Sequence, residues 1–246
     1  MRKSRLFSAA LLITLLYVGC ATVAPNNPTG ALQAPVNARQ TLQNADYLVH
    51  IVTVAFTQQG VKQFELSGFL FLYEPSGEYF IVTASHINCP GETMLNTVVY
   101  LHNQPGVGHN AELVGYDRRI DTAVLKITDP DFVFDGRLPV LGDSNRIKTG
   151  DSVVVMGSPQ GKRFQARDGR VTHPRVNIRV YGNPYSLLIF EHSGALGPGS
   201  SGGPVVNERG EIIGMTISGS NQYSFATHIN DIKRALPNLM RGIQQE

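Results

Sequence analysis

Short runs of β-branched and aromatic residues, separated by turn residues, repeat along the chain from Tyr47 onward. Runs of this kind, bounded by Gly, Pro, Asn and Asp, are typical of β-strands. Roughly ten of them at short spacing favour a barrel or a sandwich over alternating βα units. The predicted strands cover residues 47–56, 64–73, 79–83, 97–101, 122–127, 152–156, 177–181, 187–191, 211–217 and 223–227.

Two segments break this strand pattern. Residues 129–138 contain three Asp residues together with Pro and Gly, which predicts a connection between two halves of the fold. After the last predicted strand, Asn230 is expected to cap a closing helix. The two halves are predicted to cover about residues 45–130 and 137–230.

The N-terminus has the pattern of an export signal. A basic flank is followed by a mostly apolar run over residues 6–18 and then by Gly19 and Cys20. The run is shorter than the ~20 residues that span a bilayer, so residues 1–19 are predicted to be a signal peptide. Residues 20–44 are rich in Pro, Asn, Gln and Ala without periodicity, which predicts a flexible tether to a folded part over residues 45–243.

Charge and cysteine content exclude several classes of protein. Without the three basic residues of the first five positions, the 18 remaining Lys and Arg fall one short of the 19 Asp and Glu. The mature chain therefore offers no excess positive charge for nucleic acid. The only cysteines are Cys20 and Cys89, so a disulfide within the mature chain is not expected once Cys20 is modified or removed. Cys89 is predicted to be a buried thiol.

No nucleotide, metal or cofactor site is predicted. Residues 106–111 fit G-x-G-x-x-A by letter, but they lack the strand-to-helix context of a nucleotide site. H-E-x-x-H is absent and one useful cysteine cannot form a metal cluster. Four histidines are expected on the surface or in loops, namely His102, His109, His173 and His192.

The clearest candidate for catalytic chemistry is Ser201, in the segment Gly199-Ser200-Ser201-Gly202-Gly203-Pro204. A nucleophilic serine needs an exposed hydroxyl on a tight turn, with backbone N–H groups free to face a developing oxyanion. Glycines on both sides allow such a turn and leave room for substrate. The same letters also occur in plain Gly/Ser turns, so the pattern indicates a nucleophile only if a base is present.

His86 and Asp121 can complete a catalytic set with Ser201. His86 follows an apolar strand and Asp121 opens another over residues 122–127. Imidazole supplies a base of near-neutral pKa, and a carboxylate can fix its tautomer and stabilise the imidazolium. Taken singly, each could be an ordinary strand-end or turn residue. The chain order His, Asp, Ser is that of chymotrypsin-like enzymes, not of subtilisin or the α/β-hydrolases.

Longer motifs make the chain similar to trypsin-fold serine proteases, and in particular to the bacterial HtrA proteases. Residues 67–69 and 82–86 resemble S-G-F…T-x-x-H, and residues 117–126 resemble D-x-x-x-D-x-A-V-L-K. Residues 141–144, 150–151 and 156–161 resemble L-G-D-S…G-D…I-G-N-P-F-G. Residues 198–204 and 210–214 resemble P-G-N-S-G-G-P…G-E-V-I-G, so the resemblance runs from about residue 67 to 226.

The resemblance implies an all-β fold of two packed six-stranded antiparallel β-barrels with a short C-terminal helix. It also implies a serine endopeptidase that acts on protein or peptide substrates through an acyl-enzyme on Ser201. In that family His86 would be the base, Asp121 would orient it, and the N–H groups of Gly199 and Ser201 would form the oxyanion hole. No PDZ domain is expected before the chain ends at Glu246, so the family's oligomeric state and activation are not carried over.

The resemblance also gives an expectation for specificity. Trypsin has an Asp six residues before the nucleophile, whereas that position is Ala195 here, followed by Leu196. An uncharged pocket lined by these two residues cannot repay the desolvation of Lys or Arg. Cleavage is therefore predicted after small or medium aliphatic residues such as Ala or Val; alternatively, Leu196 belongs to the core.

Gly19-Cys20 resembles the lipobox of bacterial lipoproteins, in which the cysteine becomes the lipidated N-terminus. The departure is Tyr17, where that family usually has Leu or Val. The resemblance implies attachment to a bacterial membrane through Cys20, with the folded part in the periplasm. The alternative is cleavage near residues 22–24, which would give a soluble periplasmic or secreted protein.

Two other functions remain beside the protease. The fold could be a lipid-anchored binding or chaperone-like module that keeps the catalytic set latent and cleaves nothing. Ser201 could also serve an esterase or acyltransferase, since residues 199–203 match G-x-S-x-G by letter. The chain order and the missing strand–turn–helix pattern argue against the esterase.

Overall fold

The computed structural model describes residues 37–87, 93–180, 183–220 and 222–245. The predicted signal peptide, Cys20, most of the predicted tether and Cys89 lie outside the described residues. Within the described ranges, no helix has the length and apolar character needed to cross a bilayer.

Six strands of the first half close into an antiparallel barrel. They are β1 (Leu48–Thr57), β2 (Gly60–Tyr73), β3 (Glu78–Thr83), β4 (Thr93–Leu101), β5 (Gln104–Asp117) and β6 (Thr122–Ile127). The order around the barrel is β4-β1-β2-β3-β6-β5, and β5 pairs with both β6 and β4. Apolar side chains such as Phe69, Ile81 and Leu125 are fully buried in its core. Closure leaves no long unpaired edge in this half.

The second half forms a similar ring. Its strands are β7 (Val140–Leu141), β8 (Ser152–Gly157), β9 (Gln165–Arg179), β10 (Ser186–His192), β11 (Pro204–Asn207), β12 (Glu211–Gly219) and β13 (Ser224–His228). The order is β8-β9-β10-β13-β12-β11, and β11 pairs back with β8. Both rings thus have the six antiparallel strands that were predicted, and two further short strands lie beside them. The two-residue strands β7 and β14 (Gln244–Gln245) pair in parallel with β12 and β5.

The sequence pattern missed β5, β11 and the first part of β9. β5 contains Pro105 and three glycines, which are turn residues in most contexts. Pairing with β4 and β6 on its two sides nevertheless makes it a strand. β5 also contains the G-x-G-x-x-A letters, so these residues form no strand-to-helix turn.

The predicted tether is wrong in its last part. The helix α1 (Ala38–Gln43) lies there, capped by the Asn37 side chain, which accepts the Gln40 N–H at 2.9 Å. A six-residue helix is not stable alone and depends on tertiary contacts. The Ala38 N–H donates to Asp168 of β9 at 2.8 Å, and Thr41 is buried.

The closing helix is present, but the predicted cap is wrong. The helix α2 (Ile229–Leu239) begins one residue before Asn230, and His228 is its N-cap. The Asn230 amide instead donates to Asp143 at 2.7 Å. Burial of apolar residues such as Ile232 stabilises the helix, which continues through Pro237 to its last turn.

Two of the four histidines expected at the surface are buried. His109 is 9% exposed in β5 and His192 is fully buried in β10. His192 lies two residues after the buried Phe190, so both side chains are on the same face of the strand. Whether each histidine faces the core or the solvent depends on its place in the alternation of the strand, and the sequence pattern did not predict that place.

Candidate active site

The base and the carboxylate predicted from the sequence are hydrogen-bonded to each other. His86 lies in a short 3-10 helix, Ser85–Ile87, directly after β3. Its Nδ1 is 2.9 Å from Asp121 Oδ2, and its backbone N–H donates to Asp121 Oδ1 at 3.1 Å. The Ser85 hydroxyl donates to the same Oδ1 at 2.8 Å. Asp121 is 1% exposed, so these bonds satisfy a buried carboxylate and orient the imidazole.

The turn that carries Asp121 is fixed from both halves of the fold. Asp121 has φ 47°, in the left-handed region that Asp tolerates better than most residues. Its carbonyl accepts the Ser85 N–H at 3.2 Å. From β13, the Thr227 hydroxyl donates to the Ile120 carbonyl at 2.8 Å. Neither Asp121 nor Ile120 can therefore shift without breaking a bond to another element.

The charges of this pair reinforce each other. Burial alone would lower the pKa of His86, but the Asp121 charge and hydrogen bond outweigh it and raise that pKa above its usual 6.5. Burial alone would raise the pKa of Asp121, but His86 and the Ser85 hydroxyl lower it. Asp121 therefore stays ionised and stabilises the imidazolium when His86 takes a proton.

Ser201 lies across from His86 in one cleft of about 310 Å³. The Ser201 hydroxyl donates to the Ile217 carbonyl of β12 at 3.3 Å. The structure thus brings all three predicted catalytic residues to the same place, with Asp121 behind His86. The other residues that line the cleft are Val180, Gly197, Pro198, Ser200, Thr216, Ile217, Ser218, Gly219 and Ser224.

The N–H groups of Gly199 and Ser201 are oriented by the carbonyls of the preceding residues. The Pro198 carbonyl accepts the Gln160 N–H at 2.8 Å, and the Ser200 carbonyl accepts the Gly203 N–H at 2.9 Å. In a trans peptide the N–H points away from the C=O of the same unit. The N–H groups of Gly199 and Ser201 therefore point away from these anchored carbonyls. Both N–H groups are thus held in fixed directions, which a preorganised oxyanion hole requires.

Gly199 is required at its position. Its φ is +93°, and a Cβ there would lie 2.6 Å from the Ser158 carbonyl. Any side chain would strain the backbone and push the Gly199 N–H out of place.

Sequence reasoning gave no individual role to Ser85 or Gln160. Ser85 precedes His86 in the T-A-S-H motif, so its position next to the base was the available signal. Gln160 has φ 51° in a short turn between Pro159 and Gly161, and its N–H anchors Pro198. Only the tertiary structure places that turn against the nucleophile segment.

The cleft is lined by residues other than the two that were predicted for the substrate pocket. Ala195 and Leu196 are not among the residues that line the cleft. The Ala195 carbonyl accepts a hydrogen bond from Arg167 at 2.7 Å, and its side chain is buried. Leu196 packs against the apolar cluster that includes Val155 and Phe190. Both residues follow β10 closely and remain on the core side of the chain, whereas β12, β13 and the segment that carries Ser201 supply most of the cleft lining.

Comparison with known proteins identifies the family of this chain. Residues 67–215 match the family model of the trypsin-like peptidase domain. Among curated proteins, serine protease Do-like HtrA of Bacillus subtilis (strain 168) is 31% identical over 189 residues, which cover 73% of this chain and 40% of the relative. Serine protease Do-like HtrB of the same strain is 28% identical over 188 residues, covering 72% and 38%. The chain thus spans about two fifths of the length of these curated relatives.

Solved structures support the fold. The active form of the Rv3671c protease from M. tuberculosis has a TM-score of 0.64 and 22% identity, covering 80% of this chain and 82% of that one. The HtrA-type protease AlgW with a tripeptide has a TM-score of 0.65 and 22% identity, covering 81% and 62%. Since the family model matches more than half of the 246 residues, the chain belongs to the trypsin-like peptidase domain family.

Proposed function

We propose that this chain is a serine endopeptidase that hydrolyses peptide bonds through an acyl-enzyme on Ser201. The observation that carries the proposal is the meeting of the His86–Asp121 pair with Ser201 in one cleft. The anchored peptides that direct the N–H groups of Gly199 and Ser201 support the same chemistry. The similarity to serine proteases of the HtrA type supports it independently.

The reaction follows from these positions. Because Nδ1 of His86 faces Asp121, Nε2 is the nitrogen left to take the Ser201 proton as Oγ attacks the substrate carbonyl carbon. The carbonyl oxygen becomes an oxyanion that faces the N–H groups of Gly199 and Ser201. His86 then donates its proton to the leaving amine as the C–N bond breaks. Water deprotonated by His86 releases the acid product and restores Ser201.

A labelling experiment tests the nucleophile. A fluorophosphonate probe should label the wild-type chain and not Ser201→Ala, because the probe phosphorus bonds to the attacking oxygen. Ser76→Ala, in the exposed β2–β3 turn, is the matched control and should label like the wild type. Equal labelling of Ser201→Ala would place the nucleophile elsewhere. No labelling of any variant would favour the non-cleaving binding or chaperone-like module with a latent site.

For specificity we propose cleavage after small or medium aliphatic residues such as Ala or Val. Apart from His86, the residues that line the cleft have no ionisable side chain, so nothing there offsets the desolvation of Lys or Arg. Val180 and Ile217 supply apolar walls, and Thr216 and Ser224 are small.

Matched peptides test this specificity. Peptides that differ only at the scissile residue should show higher kcat/KM with Val or Ala than with Lys. Ala195→Gly should leave that order unchanged, because Ala195 is not in the cleft lining. Faster cleavage after Lys would contradict the proposal.

For location we propose attachment to the bacterial cell envelope through a lipid on Cys20, with the protease domain in the periplasm. The support is the sequence around Gly19-Cys20 and the apolar run before it. In cells expressing the full chain, Cys20→Ser should lose incorporation of labelled fatty acid and leave the membrane fraction. Cys89→Ser, the other cysteine, should keep both properties. Unchanged fractionation of Cys20→Ser would favour the soluble periplasmic or secreted alternative.

A further inference from the structure

Ser67 belongs to the first barrel, yet its polar atoms contact the nucleophile segment of the second half. It lies in β2 and is fully buried. Its hydroxyl donates to the Gly199 carbonyl at 2.8 Å and accepts the Ser158 N–H at 2.8 Å. Its backbone N–H donates to the Ser201 carbonyl at 2.8 Å. Ser67 thus forms hydrogen bonds with three backbone groups of the second half.

These bonds complete the anchoring of the turn. Four consecutive peptide units run from Pro198 to Gly202. The first and third are anchored at the Pro198 and Ser200 carbonyls by partners from the second half itself. The second and fourth are anchored at the Gly199 and Ser201 carbonyls by Ser67. Ser67 is therefore the contact through which the barrel that carries His86 fixes the turn that carries Ser201.

The hydroxyl bond to Gly199 is the one that a side-chain substitution can remove. Gly199 has few steric limits on its φ and ψ, so its peptide can rotate when the carbonyl loses its partner. Rotation of the Gly199–Ser200 peptide changes the ψ of Gly199 and the φ of Ser200. It also releases the Cα atoms of Gly199 and Ser200, which join this peptide to the two units that carry the Gly199 and Ser201 N–H groups, so both N–H groups can shift with them. Loss of the hydroxyl also leaves the buried Ser158 N–H without its acceptor.

We propose that Ser67 is a positioning residue for the oxyanion hole and that it acts through the hydrogen bond from its hydroxyl to the Gly199 carbonyl. It touches neither substrate nor reacting atoms. From the opposite barrel, it restrains the peptide that lies between the units carrying the Gly199 and Ser201 N–H groups. The inference rests on the proposed serine endopeptidase chemistry for its kinetic consequence, but its geometric consequence can be measured separately.

The kinetic test compares Ser67→Ala with Thr83→Val. The Thr83 hydroxyl donates to the Ser67 carbonyl at 2.8 Å, so Thr83→Val removes a buried bond to the same residue but none to the turn. Ser67→Ala should lower kcat on the order of 10²-fold with KM changed less than about twofold, because the N–H groups act mainly in the transition state. A peptide boronic acid, whose boron bonds to Ser201 Oγ as a tetrahedral adduct, should lose affinity in parallel with kcat.

The control separates positioning from general destabilisation. Thr83→Val should keep kcat and boronic-acid affinity within about threefold of the wild type, even where its melting temperature falls. Ser67→Cys, with a weaker donor of similar shape, should fall between the wild type and Ser67→Ala. It also supplies the measurement if Ser67→Ala does not fold. An equal kcat loss in Thr83→Val, or full kcat in Ser67→Ala, would overturn the inference.

Crystal structures of the wild type and of a Ser67 variant give a second, independent readout. The Gly199–Ser200 peptide should keep its orientation in the wild type and rotate in Ser67→Ala or Ser67→Cys. An unrotated peptide in the variant would overturn the inference whether or not the enzyme cleaves peptides. A wild-type chain that neither cleaves peptides nor binds the boronic acid would instead reject the proposed function, and the peptide orientation would still decide the role of Ser67.

Discussion

The two halves of the fold position their catalytic groups by different means. In the first barrel, the His86–Asp121 pair is held by bonds to a carboxylate, which a single side-chain substitution can remove. In the second half, the segment from Gly197 to Gly203 is held by bonds to its backbone carbonyls. Apart from the Ser201 hydroxyl itself, substitution can displace that segment only through its glycines or through the partners of its carbonyls. The positioning of His86 can therefore be tested by substituting Asp121 itself. The positioning of the nucleophile segment is tested by substituting its glycines or the residues that hydrogen-bond to its carbonyls.

Two histidines, one in each half, have pKa values that shift in opposite directions. Asp121 raises the pKa of His86, which favours the protonated form during catalysis. His192 is buried in β10, and burial lowers its pKa to about 4. Within the described ranges, neither ring nitrogen of His192 has a hydrogen-bond partner. The Asp121 carboxylate favours the protonated imidazole of His86, whereas burial favours the neutral imidazole of His192.

The largest expected effect comes from breaking the pair in the first barrel. Asp121→Asn should lower kcat on the order of 10⁴-fold, because the imidazole loses the group that fixes its tautomer and stabilises its charge. Asp129→Asn is a matched control, since Asp129 makes a 2.9 Å contact to His109, which does not line the cleft. The control should keep kcat within about twofold.

The pH profile gives this prediction a second readout. The kcat/KM of the wild type should rise with pH through the pKa of His86, above its usual 6.5, because only neutral His86 accepts the Ser201 proton. In Asp121→Asn, the residual kcat/KM should also rise with pH, but the midpoint of that rise should lie at lower pH. The reason is that the carboxylate that raises the pKa of His86 is gone. An unchanged midpoint would show that Asp121 does not face the base in solution.

Next in size is the effect of displacing the nucleophile segment. Gly199→Ala should lower kcat about 10²–10³-fold, because the strained backbone moves the Gly199 N–H away from the oxyanion. Gly210→Ala is a control of similar backbone strain. It has φ +77° and open space around its Cα in the β11–β12 turn. Comparable kcat losses in both variants would refute the assignment of Gly199 to the oxyanion hole.

A smaller effect is expected on stability in acid. The folded pKa of His192, about 4, is below its usual 6.5, so the unfolded chain binds a proton that the fold excludes between those values. Stability is therefore lost as pH falls from about 6.5 towards 4. Between pH 7 and pH 5, His192→Leu should lose about 2 kcal/mol less free energy of unfolding than the wild type.

The control for this measurement is Leu188→Ala in the same strand, because Leu188 is 43% exposed and has no ionisable group. Its loss of unfolding free energy between pH 7 and pH 5 should be close to that of the wild type. Denaturant unfolding at both pH values measures the differences. Equal losses in the wild type and His192→Leu would indicate that His192 is solvated in the folded chain.

The smallest effect tests the short helix that replaces part of the predicted tether. Asn37→Ala should cost about 1 kcal/mol of stability, because the Gln40 N–H loses its cap. Peptidase activity should be unchanged, since neither Asn37 nor α1 lines the cleft. Thermal melts and peptide assays on the same preparation check both expectations. A loss of activity without a loss of stability would contradict this separation.

Much of the barrel architecture followed from local pattern, and the exceptions have physical reasons. Strands with buried, β-branched residues, such as 79–83 and 122–127, were predicted within one residue of β3 and β6. β5 was missed because its Pro and Gly residues are typical of turns. Pairing with β4 on one side and β6 on the other nevertheless makes it a strand. α1 was missed because its stability comes from contacts to β9 more than from its own six residues.

Sequence alone indicated the proposed chemistry. Short motifs around Ser201, His86 and Asp121 need particular residue types at fixed spacing, and they predicted a hydroxyl, an imidazole and a carboxylate. Tertiary structure alone decided which residues line the cleft, excluding Ala195 and Leu196, and which distant groups support the nucleophile segment. The reason is that a motif constrains neighbours along the chain. The walls of a pocket and the partners of its carbonyls come from elements far apart in sequence, such as β2 and β12.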